Sequence, residues 1–202
     1  MNPEQTNEDR DLRRRIFTAR SYTPIPFLIL MLLFARPTVA SLLAGLAIVL
    51  CGEALRFWGV SIVGAETRTT GTVGGTFLIT TGPFALVRNP LYLGNMILYA
   101  GVGVMSMALF PWLLIAAIVF FTFQYYLIVT REEEYLAERF GEAFEEYRRN
   151  VRRFIPRVIP YRSTQPARKS ASMAEGLSSE RRTLQAIGLV TAGILVILLL
   201  RG

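Results

Sequence analysis

Residues 91–129 read LYLGNMILYAGVGVMSMALFPWLLIAAIVFFTFQYYLIV, a stretch that contains no charged side chain. A helix needs about 20 apolar residues to cross the hydrocarbon core of a bilayer, so the stretch is long enough for two crossings. Phe110–Pro111 stands at its middle, and proline interrupts a helix because it lacks an N–H group and its ring clashes with the preceding turn. The stretch therefore predicts a hairpin of two membrane helices, 91–110 and 111–129.

A similar pattern precedes this hairpin. An apolar run over residues 22–35 ends at Arg36–Pro37, and a second apolar run follows over residues 38–62. Helical geometry is disfavoured in the residue before a proline, so the two runs are predicted to be separate helices joined by a tight turn. Gly45 and Gly52 in the second run favour close contact between helices inside a membrane.

The segment after the second hairpin, residues 131–157, intersperses charged side chains with apolar ones. The apolar residues recur every three or four positions, which is the spacing of one helix face: Leu136, Phe140, Phe144 and Tyr147. We expect an amphipathic helix, or two helices broken near Gly141, lying at the membrane surface. A polar linker and a final apolar run over residues 183–200 follow.

These patterns predict an all-α integral membrane protein with about five transmembrane helices, namely two helical hairpins and a C-terminal span, with a cytosolic amphipathic helical segment. The expected divisions are a cytosolic tail (1–21), the first hairpin (22–62), a core of loop, second hairpin and amphipathic helices (63–160), a polar linker (161–182) and the C-terminal span (183–202). Basic residues before, between and after the hairpins assign those segments to the cytoplasm. We expect an uncleaved multi-pass protein of a bacterial inner membrane, its active site facing the cytoplasm.

The composition excludes several kinds of chemistry. The chain has no histidine and a single cysteine, Cys51, so we expect neither a metal site nor an intramolecular disulfide bond. The 22 Lys and Arg against 15 Asp and Glu give a formal net charge of +7, and the basic residues flank apolar runs. Lipid headgroups explain this charge more simply than nucleic acid does. Any reaction must use carboxylates, Arg, Tyr, backbone groups or an organic cofactor.

The segment GPFALVRNPLYLGN, residues 82–95, is the first candidate functional element. On one interpretation it is simply the start of a membrane helix, with Asn89 as the N-cap, Pro90 in the first turn and Arg88 as an anchor at the interface. On the other interpretation the same helix start, with its free N–H groups and the neighbouring Arg88, binds a carboxylate or a phosphate.

Two further groups of charged residues are candidates. The adjacent carboxylates Glu132, Glu133 and Glu134 follow the second hairpin. The triplet as a whole is expected to be solvated, while one or two of its members bind an ammonium or sulfonium group. Glu53 and Arg56 lie three residues apart in a membrane helix, so they are expected to form a structural ion pair or to pack against the loop.

Residues 82–95 and the later segment REEEYLAERFGEAFEEYRRNVRRFIP together resemble the isoprenylcysteine carboxyl methyltransferase and phospholipid methyltransferase superfamily of membrane enzymes. That superfamily has a Gly-Pro-Tyr…Arg-His-Pro-x-Tyr-x-Gly stretch entering a helix, a hairpin, then Glu-Glu…Phe-Gly…Tyr…Tyr and a basic run ending on Pro. The resemblance covers residues 43–160. It implies a membrane-embedded methyltransferase that uses S-adenosylmethionine and a lipophilic acceptor, either an isoprenoid or prenyl carboxylate or a lipid amine or hydroxyl.

The resemblance also implies which residues form the site. Glu132 would hold the amino group of the cofactor, and Arg88 would be a buried anchor for the loop; these two are the expected catalytic residues. The residues expected to contact the cofactor are Thr76, Phe77, Leu78, Ile79, Phe84, Asn89, Pro90, Leu91, Tyr92 and Glu132. Methyl transfer from a sulfonium needs mainly alignment and exclusion of water, so the lack of histidine does not oppose it.

Three positions depart from the superfamily pattern. Asn89 replaces the usual His, Phe84 replaces the usual Tyr, and Ile128 stands where the prenylcysteine enzymes carry an Arg, which favours a lipophilic acceptor other than prenylcysteine. Two alternative functions remain open. One is an NADPH-dependent membrane sterol or enone reductase, which has a similar helix-entry motif, and the other is a non-catalytic membrane scaffold.

Overall fold

The computed structural model describes residues 20, 22–63, 77–162 and 172–201. Within these residues the chain forms six α-helices, one 3₁₀ helix and no β-strand. The α-helices are α1 (Pro24–Leu33), α2 (Val39–Val63), α3 (Pro90–Ser106), α4 (Trp112–Phe140), α5 (Glu142–Asn150) and α6 (Met173–Arg201), and the 3₁₀ helix spans Gly82–Ala85. The predicted all-α fold is confirmed.

Three of the described helices, α2, α4 and α6, are long and apolar enough to cross a bilayer. They have 25, 29 and 29 residues, and a crossing requires about 20. Helix α1 has 10 residues and α3 has 17, and at the rise of an α-helix α1 is only about 15 Å long, half the thickness of the hydrocarbon core. The protein is therefore a membrane protein, but the expected number of about five spans is not confirmed.

Helices α2 and α3 run antiparallel and touch through their backbones. A Cβ atom added at Gly52 would lie 2.8 Å from the carbonyl oxygen of Gly94, and one at Gly101 would lie 2.9 Å from that of Gly45. No side chain fits these positions, and such close approach of backbones holds membrane helices together where lipid removes the hydrophobic driving force. The close contact predicted from Gly45 and Gly52 is confirmed.

The polar segment after the second apolar hairpin belongs to two helices. Helix α4 continues without a break through residue 129 to Phe140, so its polar last turns extend the membrane helix. The fall in hydropathy marks where the helix leaves the apolar layer, because no Gly or Pro stands there to end it. Gly141, with φ of 52°, separates α4 from α5. Of the two alternatives predicted for this segment, the two-helix one is correct.

Helix α6 begins at Met173, within the segment that was expected to be a linker up to residue 182. Hydropathy does not detect the polar first turns of a helix that extends beyond the apolar layer, and nothing in Ala174 to Arg182 opposes a helix except Gly176. The rest of the predicted linker, residues 163–171, lies outside the described chain, as do loop residues 64–76 and tail residues 1–19.

Two clusters of buried side chains hold these helices together. The larger one joins α1, α2, α3, α4 and α6, and it includes Met31, Val49, Leu98, Phe121 and Ile194. The smaller one consists of Phe144, Tyr147 and Val151, against which Leu78, Leu136, Ala137, Phe140 and Tyr161 pack. The apolar face predicted for residues 131–157 is thereby confirmed, and it lies against the loop that leads into α3.

Candidate active site

Arg88 connects the loop before α3 to two other parts of the chain. Its Nε atom lies 2.9 Å from Glu133 Oε1 on α4, and its Nη2 atom lies 3.3 Å from Glu133 Oε2. Its Nη1 atom donates to the carbonyl oxygen of Arg148 at 2.9 Å and to that of Val151. The side chain is only 10% exposed. Arg88 is thus the buried anchor that the resemblance implied, while its catalytic role stays a prediction.

Glu133 accepts hydrogen bonds from two guanidinium groups. Besides Arg88, Arg153 Nη2 donates to Glu133 Oε2 at 2.6 Å, and Asn89 Nδ2 approaches Glu133 Oε1 at 3.4 Å. Arg153 also donates to Thr130 Oγ1 at 3.1 Å. Charge-assisted hydrogen bonds of this kind are the strong ones, and they are required where a carboxylate leaves water. We call Arg88, Asn89, Glu133 and Arg153 the Glu133 cluster.

Asn89 stands at the N-cap of α3 and Pro90 follows in its first turn, as predicted. The Asn89 side chain makes no capping hydrogen bond. Its amide instead points to Glu133 and donates to the carbonyl oxygen of Arg153 at 3.3 Å. The first turn of α3 therefore has no side-chain cap, which leaves the positive end of the helix dipole available to an anionic group.

Glu132 meets Tyr92 across the interface of α3 and α4. The Tyr92 hydroxyl donates to Glu132 Oε1 at 2.6 Å, and the centroids of the Tyr92 and Tyr125 rings are 4.9 Å apart. Successive residues of a helix point about 100° apart, so the carboxylates of the triplet diverge. Glu132 is half-buried, Glu133 is buried and Glu134 is exposed. Only Glu134 is thus solvated as expected for the triplet as a whole, and the expectation that one or two members bind a cationic group stays a prediction.

The remaining predicted contact residues are distributed around this site. Leu78 packs on the Phe144–Tyr147 cluster, Ile79 is half-buried, and Phe77 is 42% exposed. Leu91 contacts α2 at Gly59, so it lies on another face of α3 than Tyr92. Thr76 lies outside the described residues. Tyr92 and Glu132 are thus in direct contact. Asn89 and Arg88 lie about one helical turn before Tyr92 and contact Glu133, the neighbour of Glu132.

The segment after α5 folds back over the loop that precedes α3. Three backbone hydrogen bonds of 2.9 Å join the two: Arg88 N to Arg152 O, Arg157 N to Leu86 O, and Tyr161 N to Ala85 O. The Tyr147 hydroxyl adds a bond of 2.7 Å to the carbonyl oxygen of Phe84. Burial raises the pKa of the Tyr147 phenol well above its usual range, so Tyr147 remains a hydrogen-bond donor.

Sequence reasoning did not identify the roles of three residues of this site: Glu133, Arg153 and Tyr147. A buried Arg88 requires a counter-ion, and the acidic triplet was the place to look for it. Nothing local in the sequence selects Glu133 over its neighbours, because the choice depends on the rotation of α4. Tyr147 was recognised only as part of an apolar face, and its hydroxyl found a backbone partner 63 residues away.

The third candidate feature, Glu53 with Arg56, forms the predicted ion pair, with Glu53 Oε2 3.6 Å from Arg56 Nε. Arg56 has two closer partners on other helices. Its Nη2 atom donates to both carboxylate oxygens of Glu180 on α6, at 2.8 and 2.7 Å, and its Nη1 atom donates to Asn95 Oδ1 on α3. We call Glu53, Arg56, Asn95 and Glu180 the Arg56 cluster.

Most residues of this site lie within a region that matches a known protein family. The family model described as phospholipid methyltransferase matches residues 40–143, which is half of the chain. The protein belongs to the phospholipid methyltransferase family. The match includes α2, the loop with Arg88, α3 and α4 with Glu132, and it ends at the start of α5. The resemblance to this superfamily is therefore confirmed, and the family indicates a membrane methyltransferase.

Two relatives share part of this family region. One is the cobalt-zinc-cadmium resistance protein CzcN of Cupriavidus metallidurans, 36% identical over 85 residues, which are 42% of this chain and 38% of the relative. The other is the nickel-cobalt-cadmium resistance protein NccN of Alcaligenes xylosoxydans xylosoxydans, 36% identical over 89 residues, or 44% and 40%. The alignments span about two fifths of these relatives. No solved structure matches the chain significantly.

Proposed function

We propose that this member of the phospholipid methyltransferase family uses S-adenosylmethionine to methylate a lipophilic acceptor in the membrane. One observation carries the proposal: Glu132, near the start of the second motif, accepts a hydrogen bond of 2.6 Å from Tyr92, near the end of the first. Forty residues of sequence separate them. Their meeting favours a binding site made jointly by the two motifs.

The groups at this place fit the amino-acid end of S-adenosylmethionine, which carries an ammonium and a carboxylate. The Glu132 carboxylate would bind the ammonium through a charge-assisted hydrogen bond. The first turn of α3, which lacks a side-chain cap, would bind the carboxylate through its N–H groups. The rings of Tyr92 and Tyr125, 4.9 Å apart, offer π faces that attract a cation such as a sulfonium.

The Glu133 cluster supports the same proposal by fixing the position of α3 relative to α4. Arg88, Asn89 and Arg153 all donate to Glu133, which stands next to Glu132 on α4. Alignment within a few tenths of an ångström contributes much of the rate of a displacement reaction. In this account Arg88 is a positioning residue, and Glu132 is the residue that touches the cofactor.

When bound, S-adenosylmethionine supplies an electrophilic methyl group attached to a positively charged sulfur. This methyl group would pass to an acceptor oxygen or nitrogen, and the electron pair of the broken carbon–sulfur bond would stay on sulfur. The protein aligns the two reactants and excludes water between apolar helices. A carboxylate acceptor releases no proton, so it suits a chain without histidine; an amine or hydroxyl acceptor would need a nearby carboxylate to take its proton.

We further propose that the protein lies in a bacterial inner membrane and that its site faces the cytoplasm. The segment that closes over the site is basic, with Arg148, Arg149, Arg152, Arg153 and Arg157. Positively charged segments next to membrane helices stay on the cytoplasmic side. Labelling of single cysteines placed in this segment, with a reagent that does not cross membranes, tests the orientation in intact cells.

Calorimetric titration of the purified protein in detergent tests the cofactor. We expect binding of S-adenosylmethionine and of its demethylated product S-adenosylhomocysteine, and no binding of NADPH. Glu132→Gln removes one charge-assisted partner and is expected to weaken binding by roughly 10- to 100-fold. Glu134→Gln removes the same charge from an exposed position and is the matched control, expected to bind as the wild type does. NADPH binding, or equal losses in both variants, would contradict the proposal.

A further inference from the structure

Helix α6 lies beyond the residues matched by the family and carries one of the most deeply buried charges of the described chain. Glu180 is 2% exposed, and both of its carboxylate oxygens accept hydrogen bonds from Arg56 Nη2 on α2. A helix needs no carboxylate to cross a bilayer, and burying one is costly unless it is paired. Glu180 therefore has a role that depends on Arg56.

The contact with Arg56 attaches α6 to α2 through two charge-assisted hydrogen bonds. Only three residues of α6 are buried: Gly176, Glu180 and Ile194. The backbone just before the helix adds one bond of 2.9 Å, from Ser172 N to Ser61 O, and most other side chains of α6 face outward. The position of α6 near its start is thus coupled to the orientation of the Arg56 guanidinium.

Arg56 also reaches the helix that bears Tyr92. Its Nη1 atom donates to Asn95 Oδ1, three residues beyond Tyr92 on α3. The Asn95 side chain lies close to the Tyr125 hydroxyl, and the ring centroids of Tyr125 and Tyr92 are 4.9 Å apart. Tyr92 in turn donates to Glu132 at 2.6 Å. A continuous series of side-chain contacts therefore runs from α6 to the carboxylate that we assign to the cofactor.

We propose that Glu180 and Arg56 are positioning residues, through which α6 holds Asn95, Tyr125 and Tyr92 in the arrangement that binds the cofactor at Glu132. This inference rests on the proposed function. The same guanidinium group of Arg56 donates to both Glu180 and Asn95, and the directions of its N–H groups are fixed because the group is planar. If Glu180 no longer holds two of its hydrogen bonds, the guanidinium rotates and Asn95 loses its donor.

Glu53 provides the means to separate positioning from folding. Its carboxylate is buried and accepts no hydrogen bond from any described residue, yet it lies 3.6 Å from Arg56 Nε. When Glu180 is neutralised, Arg56 still has a carboxylate on its own helix, so its charge is not left unpaired. Glu180→Gln and Glu53→Gln are therefore matched variants, because each removes one carboxylate charge from the same guanidinium.

The test measures S-adenosylhomocysteine binding and thermal unfolding of the full chain in detergent. We expect Glu180→Gln to weaken binding by roughly 2- to 30-fold, the usual range for residues that act on a site through intervening contacts. We expect Glu53→Gln to bind as the wild type does. Arg56→Lys keeps the charge but not the fork, so it should weaken binding by a similar factor, and it serves if Glu180→Gln does not fold.

The outcomes separate the two proposals. If the wild type does not bind S-adenosylhomocysteine, the proposed function is wrong and the positioning role falls with it. If the wild type binds and both Glu180→Gln and Arg56→Lys bind equally well, only the positioning role is wrong. The positioning role also fails if Glu53→Gln weakens binding as much as Glu180→Gln does, because the effect is then one of charge and not of the contact with Asn95.

Discussion

The two buried charge clusters have opposite compositions. In the Glu133 cluster one carboxylate receives two guanidinium groups, and the spare N–H groups of Arg88 find backbone carbonyls. In the Arg56 cluster one guanidinium faces two carboxylates, and Glu53 accepts no hydrogen bond from the described residues. The first cluster has no spare charged partner, whereas the second contains an alternative one. We infer that the first fixes the fold and that the second adjusts the site.

The largest effect on stability is expected from Glu133→Gln. The change leaves Arg88 and Arg153 without a carboxylate, and breaking a buried ion pair in this way costs about 3–5 kcal/mol. Denaturant unfolding in detergent measures the loss. Glu53→Gln is the matched change in the other cluster; it removes no hydrogen bond, so it should alter the free energy of unfolding by less than about 1 kcal/mol. Similar losses in the two variants would contradict the distinction between the clusters.

An intermediate effect is expected from Gly94→Ala, which acts on the Arg56 cluster by steric contact. The added Cβ would lie 2.6 Å from Arg56 Cγ and 2.9 Å from the carbonyl oxygen of Gly52. Such overpacking typically costs about 1–3 kcal/mol. Gly188→Ala is the control, because a Cβ there meets nothing within 4 Å. Thermal unfolding compares the two, and an unchanged Gly94→Ala protein would mean that α2 and α3 pack less closely than described.

The smallest effect is expected from Arg148→Ala, although Arg148 contacts Arg88. The contact is a hydrogen bond from Arg88 to the main-chain carbonyl oxygen of Arg148, which any residue at this position would supply. The Arg148 side chain pairs with Glu145 in an exposed position, and such pairs contribute roughly 0–1 kcal/mol. We expect a loss within that range that disappears at high salt. A loss comparable with that of Glu133→Gln would show that the side chain itself belongs to the Glu133 cluster.

Local pattern predicted most of the fold. The apolar runs gave α2, α3 and the apolar part of α4 to within a few residues, because a bilayer selects length and hydropathy and both are visible in the sequence. The extensions were not predicted. Polar turns at the end of α4 and the start of α6 continue helices beyond the apolar layer, and hydropathy does not distinguish such turns from loops.

The residues of the candidate site were predicted more completely than the contacts between them. Motif order indicated Arg88, Tyr92 and Glu132, and Tyr92 and Glu132 are in contact. The partner of Arg88 depended on the rotation of α4, which a run of three glutamates does not reveal. The contact of Glu180 with Arg56 could not be predicted, because the two residues are 124 apart in the sequence and no local periodicity relates residues so far apart.

Transfer of labelled methyl groups tests whether the protein methylates a lipophilic acceptor in the membrane. Membranes that contain the wild-type protein are incubated with S-adenosylmethionine carrying a labelled methyl group, and the lipid-soluble fraction is extracted and counted. We expect label in that fraction for the wild type and for Glu134→Gln, and a loss of at least about tenfold for Glu132→Gln, because a charge-assisted contact is removed. Equal label from all three, or no label above membranes without the protein, would contradict the proposed function.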